Sequence, residues 1–253
     1  MTFNPEAFAP ESDWHESVYD MAREAAAIIG IDINDIHYSG FWSQGDGASF
    51  TGSYIYSKGA AKRIRAEFPT ATALHAIADT LQKVQRAAFY RLAATVTTSG
   101  RYSHSGTMSV DVETSDGEPL AGDWAKSGCY VPHPTEEIIR DQLRAFADWI
   151  YESLEKEYEY ASAWQLASGY VDMADTVDQE RASARALIHD IRTAMKSGIV
   201  AAPAICSALR SKVRDHLEAM NEAISDRREM ADAFHYWEDG KSVDIETFAA
   251  ANI

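Results

Sequence analysis

Apolar positions along this chain change their spacing several times, and each change marks an element. Trp14, Val18, Met21, Ala25 and Ile28 recur at helical intervals, which predicts a first helix to about Ile29 with Ser12 or Asp13 as cap and Gly30 as stop. Asp32 to Asp35 are expected to turn the chain. From Ile36 the period becomes two: Ile36, Tyr38, Gly40 and Trp42 oppose His37, Ser39, Phe41 and Ser43. Alternation resumes after Gly45-Asp46-Gly47, with Ala48, Phe50, Gly52, Tyr54 and Tyr56 on one side. These runs predict a β-hairpin closed by a tight turn at Gly45-Asp46-Gly47. Gly40 and Gly52 inside strands imply a bulge or a close backbone approach.

Lys58 to Phe68 reads as a short basic helix stopped by Pro69. A helix opened by Thr70 or Thr72 follows, with Leu74, Ile77, Ala78, Leu81, Val84 and Ala88 as its stripe. A second β pair is predicted at about Leu92–Thr98 and Thr107–Thr114, closed by Asp116-Gly117, and residues 117–134 read as loop. From Pro134, or Thr135 as cap, a helix over about 135–161 buries Ile139, Leu143, Phe146, Ala147, Ile150 and Leu154. Beyond Ala161 the text is helical to the end. One helix carries Val177, Ala184, Leu187, Ile188, Ile191 and Met195 and stops at Gly198. Another opens at Pro203 and runs about 34 residues. The fold class is therefore α+β: a mainly antiparallel sheet of about four strands covered by helices in residues 1–161, followed by an all-helical extension, 162–253. The longer final helix exposes apolar surface that its antiparallel neighbour cannot cover and that must pack on the N-terminal module or on another chain, of which a homodimer through the C-terminal helices is the favoured expectation.

Charge changes this picture most. The chain of 253 residues has a formal net charge of −16, of which −11 falls in residues 1–161. Such a surface repels nucleic-acid phosphates and anionic lipid and favours a basic partner. No run approaches the ~18 apolar residues of a membrane span, and Met1 to Glu6 lack the start of a secretory signal. Cys129 and Cys206, far apart, are expected as free thiols in a reducing cytoplasm.

The helix after Pro134 concentrates the acidity. Glu137, Asp141, Asp148, Glu152, Glu155 and Glu159 fall on the side opposite its apolar stripe, along roughly 33 Å at ~1.5 Å per residue. Arg140, Arg144 and Lys156 lie off that ridge. Carboxylates at i, i+4 stand ~6 Å apart along the axis, near the phosphate repeat of a nucleic-acid strand. Their mutual repulsion costs helix stability. With Asp111 and Glu113 on a strand face and Tyr151 and Tyr158 beside the ridge, the pattern suits a surface that imitates nucleic acid or docks a basic groove. An ordinary solvated helix face is the competing reading.

Catalytic motifs are sparse. The histidines lack metal-ligand spacing, and nothing calls for a metal or cofactor. The Gly45–Ser49 turn is the candidate for chemistry: Asp46 as base or cation ligand, Ser49 as hydroxyl, with Tyr38 and with His104 if the strands share a sheet. The alternative is that Asp46 only shapes its turn.

Two stretches, Tyr38 to Phe50 (YSGFWSQGDGASF) and Asp148 to Tyr160 (DWIYESLEKEYEY), resemble a family of small phage and prophage proteins labelled as antitoxins of a toxin–antitoxin stability system. The resemblance spans residues ~10–165. It implies a mobile-element origin and a non-enzymatic, partner-blocking role in a bacterial host's cytoplasm. Small acidic phage proteins often work by neutralising host defences, including CRISPR effectors and restriction enzymes, and the resemblance extends that expectation to this chain by association. The leading expectation is an acidic inhibitor of a DNA- or RNA-binding defence protein that binds no nucleic acid or membrane itself. An antitoxin-like binder of a toxin, or a small hydrolase or nucleotide-processing enzyme using the Gly45–Ser49 turn, are the alternatives.

Overall fold

The structure, a computed structural model, describes residues 10, 12–99, 101–114, 123–124, 130–131, 133–196, 203–238 and 240–253. The turn expected at Asp116-Gly117, Cys129 and the helix stop at Gly198 lie outside the described residues. The chain divides into two compact units, one spanning Asp13–Glu157 and the other containing Tyr158–Ile253.

In the first unit, α1 (Glu16–Ile29) presents Val18, Ala22, Ala25, Ala26 and Ile29 to the core. Its cap residue is His15, without a capping side-chain bond; the Glu16 N–H donates to the Asp13 carbonyl, so Asp13 serves through its backbone rather than its carboxylate. Gly30 ends the helix in the left-handed region. The chain does not turn over 32–35 as expected. It enters β1 (Ile31–Tyr38) at once, paired antiparallel with β2 (Ala48–Ile55). Asn34 is the extra residue of a bulge between Ile33 and Asp35, and it interrupts the alternation that reads cleanly only from Ile36. Gly52 pairs with Ile33 beside that bulge, and a Cβ there would lie 1.9 Å from the Asp32 carbonyl oxygen. The close approach inferred at this glycine is thus real.

A short helix, α2 (Ala60–Glu67), and a longer one, α3 (Thr72–Ala87), follow, then β3 (Leu92–Thr98) and β4 (Met108–Thr114). The four strands form one antiparallel sheet in the order β1-β2-β3-β4. Alternate residues of β4, Met108, Val110 and Val112, are buried, while Ser109, Asp111 and Glu113 are exposed. The buried side chains of the sheet join one core with α1, α2, α3 and the start of α4 (Pro134–Lys196), here Ile139, Leu143, Phe146, Ile150 and Leu154. Gln85, fully buried on α3, bonds both the N–H and the carbonyl of Leu92 and reaches the Tyr54 hydroxyl at 3.4 Å. Within the stretch read as loop after β4, a ribbon pairs β5 (Asp123–Trp124) with β6 (Tyr130–Val131).

The helix expected over 135–161 does not stop there. α4 is continuous for 63 residues and absorbs the separate helix expected around 177–195. In the second unit its later part runs antiparallel to α5 (Pro203–Ala233), since Glu180 meets His216 at 2.5 Å while Tyr170 meets Arg227. The extension is helical except for one small ribbon, β7 (Tyr236–Glu238) with β8 (Lys241–Val243), before α6 (Ile245–Asn252). Phe234, Tyr236 and Phe248 close a small second core on Ala163, Ala167 and Tyr170.

Candidate functional site

At 100° per residue, the buried stripe of α4 puts Glu137, Asp141, Asp148, Glu152 and Glu155 on its outward side. The first four are exposed and Glu155 is half-buried. The nearest arginines of the helix are turned elsewhere. Arg140 bonds Glu136 at 2.5 Å and the Val110 carbonyl at 3.4 Å, and Arg144 donates to the Met108 carbonyl at 3.0 Å. Both guanidinium groups therefore serve the edge strand β4. Among the described residues no ridge carboxylate forms a salt bridge. Glu159 is exposed too but belongs to the second unit, beside Tyr236, whose hydroxyl pKa is raised chiefly by burial and then by Glu238, Tyr160 and Glu159.

Asp111 and Glu113 do not join this ridge. They alternate with the buried residues of β4 and so stand on the sheet face turned away from the core. There Asp111 ends a row across all four strands, Asp32, Ser53, Thr95 and Asp111.

The first hairpin is closed by a loop of residues 39–47 rather than by a tight turn. β1 ends at Tyr38 because Gly40, Trp42 and Gly45 all adopt positive φ, at 57°, 69° and 94°, which no strand accommodates. The loop is held from within and from beside. Ser39 N–H donates to the Gly47 carbonyl at 3.1 Å, and Ser43 N–H to the Asp46 carboxylate at 2.6 Å. Ser39 Oγ donates to the Ser103 carbonyl at 3.3 Å. Gly47 lies so close to His104 that a Cβ would come within 2.5 Å of the histidine Cβ.

The structure places each of the four residues considered for catalysis in its own local surroundings. Tyr38 stacks on Phe41 with ring centroids 5.9 Å apart. The Asp46 carboxylate shapes its turn, Ser49 is buried on β2, and His104 Nδ1 accepts from the Gly106 N–H at 3.0 Å. Among the described residues no hydrogen bond joins any two of the four. Nor, among those residues, does any group of three or more His, Cys, Asp or Glu stand close enough to hold a metal ion.

What the loop does assemble is an aromatic surface. Trp14, Tyr38 and Phe41 meet at centroid distances of 5.8–6.0 Å, and Trp42, 5.6 Å from Phe41, is 71% exposed. Phe41 also meets Tyr151 of α4 at 5.6 Å, which seats the loop against the acidic helix. The Tyr151 hydroxyl has its pKa raised by burial first, then by the carboxylates of Glu155 and Asp46. Aromatic rings and carboxylates thus share one surface of the first unit, a combination suited to cationic side chains. Of these rings, only Tyr151 was tied to the ridge by spacing. Trp14 and Phe41 come from elements distant in sequence.

Among the described residues no helix is long and apolar enough to cross a membrane. A family described as a domain of unknown function (DUF8835) has a model that matches residues 14–163. No curated protein and no solved structure matches the chain.

Proposed function

The chain belongs to that domain family, and we propose that it is a non-enzymatic binding protein that inhibits a basic, nucleic-acid-handling protein by docking it on the carboxylate side of α4. The observation carrying this reading is the commitment of Arg140 and Arg144 to β4. It leaves Glu137, Asp141, Asp148 and Glu152 exposed and without a salt bridge among the described residues. A helix bearing like charges at i, i+4 is less stable than one with mixed charges, so an uncompensated ridge fits a surface kept for a partner. Phe41, Trp42 and Tyr151 add rings on which a guanidinium or ammonium group settles, and they give the contact an anchor that charge alone lacks.

The resemblance to phage proteins supports a host defence component, of CRISPR or restriction type, as the basic partner, met in the bacterial cytoplasm. A toxin docked on the same face is the antitoxin-like version of the same chemistry. The engagement of Asp46 and His104 in their own turns favours both over catalysis at Gly45–Ser49. In the second unit Leu217 of α5 is 42% exposed and Met195 of α4 61%, which supports self-association through these helices.

The test is binding of Asp148→Asn/Glu152→Gln/Glu155→Gln to candidate DNA- or RNA-binding host proteins across a salt series. The expected result is a loss of at least ~10-fold in affinity at low salt, with a flatter salt dependence. Affinity indifferent to both charge removal and salt overturns the reading.

A further inference from the structure

The second unit holds a feature of opposite sign. A cleft of about 260 Å³ opens between α4 and α5, lined by Tyr170, Arg181, Arg227 and Arg228 with Val177 and Ile224 as its apolar wall. Three arginines lining one cleft stand out in a protein of net charge −16.

The carboxylates bearing on them leave a positive surplus. Asp178 pairs with Arg181 at 2.8 Å, and Glu246 lies 4.0 Å from Arg227. Glu246 is shared, because the same oxygen accepts from the Tyr170 hydroxyl at 2.7 Å. Arg228 has no ion pair among the described residues. Arg227 lies over the Tyr170 ring, 4.0 Å from its centroid, and this stacking fixes the plane of the fork. Its Nε is buried without a hydrogen-bond acceptor.

We propose that this cleft binds a small phosphate-bearing molecule, with Arg181, Arg227 and Arg228 gripping the phosphoryl oxygens and the Val177–Ile224 wall taking the attached organic part. Guanidinium forks match phosphate geometry in pairs of parallel bonds, which a compact ammonium cannot do. The volume lies just below the usual range for drug-sized ligands, ~300–1,000 Å³, so the organic part is no larger than a nucleoside. The site is separate in chain position from the carboxylate ridge, and either proposal can fail without the other.

Calorimetric titration of the full chain with inorganic phosphate, adenosine monophosphate and succinate tests it. Saturable binding of the two phosphates, tighter for the nucleotide, is expected, with succinate at least ~10-fold weaker. Arg228→Gln, on an exposed position that leaves the helices intact, should weaken phosphate binding by ~10-fold or more. Arg227→Lys, which keeps the charge but loses the fork, should weaken it as well. If neither phosphate binds saturably, if succinate binds equally well, or if Arg228→Gln changes nothing while the melting temperature is unaltered, the proposal is overturned.

Discussion

Arg144 of α4 donates to the backbone carbonyl of Met108 on β4 at 3.0 Å. With Arg140 on Val110, one turn earlier, it closes the outer edge of a sheet that would otherwise offer unpaired carbonyls to another strand. The same two bonds turn both of these arginines away from the carboxylate ridge. Protection of an edge and exposure of an acidic surface are thus one arrangement.

Arg144→Ala should lower stability by about 1–3 kcal/mol, the cost of a lost charge-assisted bond to a partly buried acceptor. It should also raise the rate of aggregation. Denaturant titration and light scattering measure the two effects separately. Arg144→Lys should restore part of the stability, since it can still reach the edge with a single donor.

Neutralising the ridge should stabilise the helix that carries it. Asp148 and Glu155 flank Glu152 at i−4 and i+3, so Asp148→Asn/Glu155→Gln removes two repulsive contacts worth roughly 0.2–0.5 kcal/mol each. The melting temperature should rise slightly at low salt, and the difference should vanish as screening grows. A variant that is more stable yet binds its partner worse would be the expected trade between stability and function. A fall in stability would mean these carboxylates hold the fold.

The four strands, the helices between them and the buried stripe of α4 were legible because apolar spacing has one period in each element. Misreadings came where local text and tertiary context disagree. Asn34 hides the start of β1 by adding one residue to the alternation. Gly40 and Trp42 extend a period-two pattern into a loop whose positive φ values no pattern of polarity reveals. Around Ala163, Ala167 and Gly169 the apolar stripe of α4 is built of small residues, and weak contrast there reads as an ending; the segment contains no proline, and the helix runs on. The ridge itself was visible from helical spacing. The contact of Phe41 with Tyr151 beside it, and of Trp14 with Phe41, was not, because these meetings are products of folding.

Gly47→Ala should cost about 1–3 kcal/mol, in the range of overpacking a closed contact. The added Cβ would fall 2.5 Å from the Cβ of His104 and 2.9 Å from its Cα, and neither backbone can yield without moving the loop. If the loop's seat on α4 matters for partner binding, this variant should also weaken binding while leaving every ridge carboxylate in place. Tyr151 fluorescence or its ring resonances would report the displacement of Phe41.

Tyr54 gives the fold a dependence on alkaline pH. The side chain is fully buried, and burial pushes its pKa up to about 12, opposed in part by the hydrogen bond from Gln85. An unfolded tyrosine titrates near ~10. The folded state therefore favours the neutral phenol, and its stabilising contribution is complete below pH ~10. The contribution is lost as pH rises from ~10 through about 12, where the unfolded chain releases a proton that the folded chain retains. Two pH units of difference correspond to roughly 2–3 kcal/mol. Other tyrosines with raised values, Tyr19, Tyr151, Tyr170 and Tyr236, act in the same direction, so the native chain alone cannot isolate the effect. Tyr54→Phe can. It should be less stable than the native chain at pH 8 by about 1 kcal/mol, for the lost bond to Gln85. That gap should narrow and then reverse between pH 10 and 12, because the phenylalanine has no proton to lose. Urea midpoints for the two chains measured from pH 8 to pH 11.5 decide it, and parallel curves would show that the Tyr54 hydroxyl titrates as if exposed.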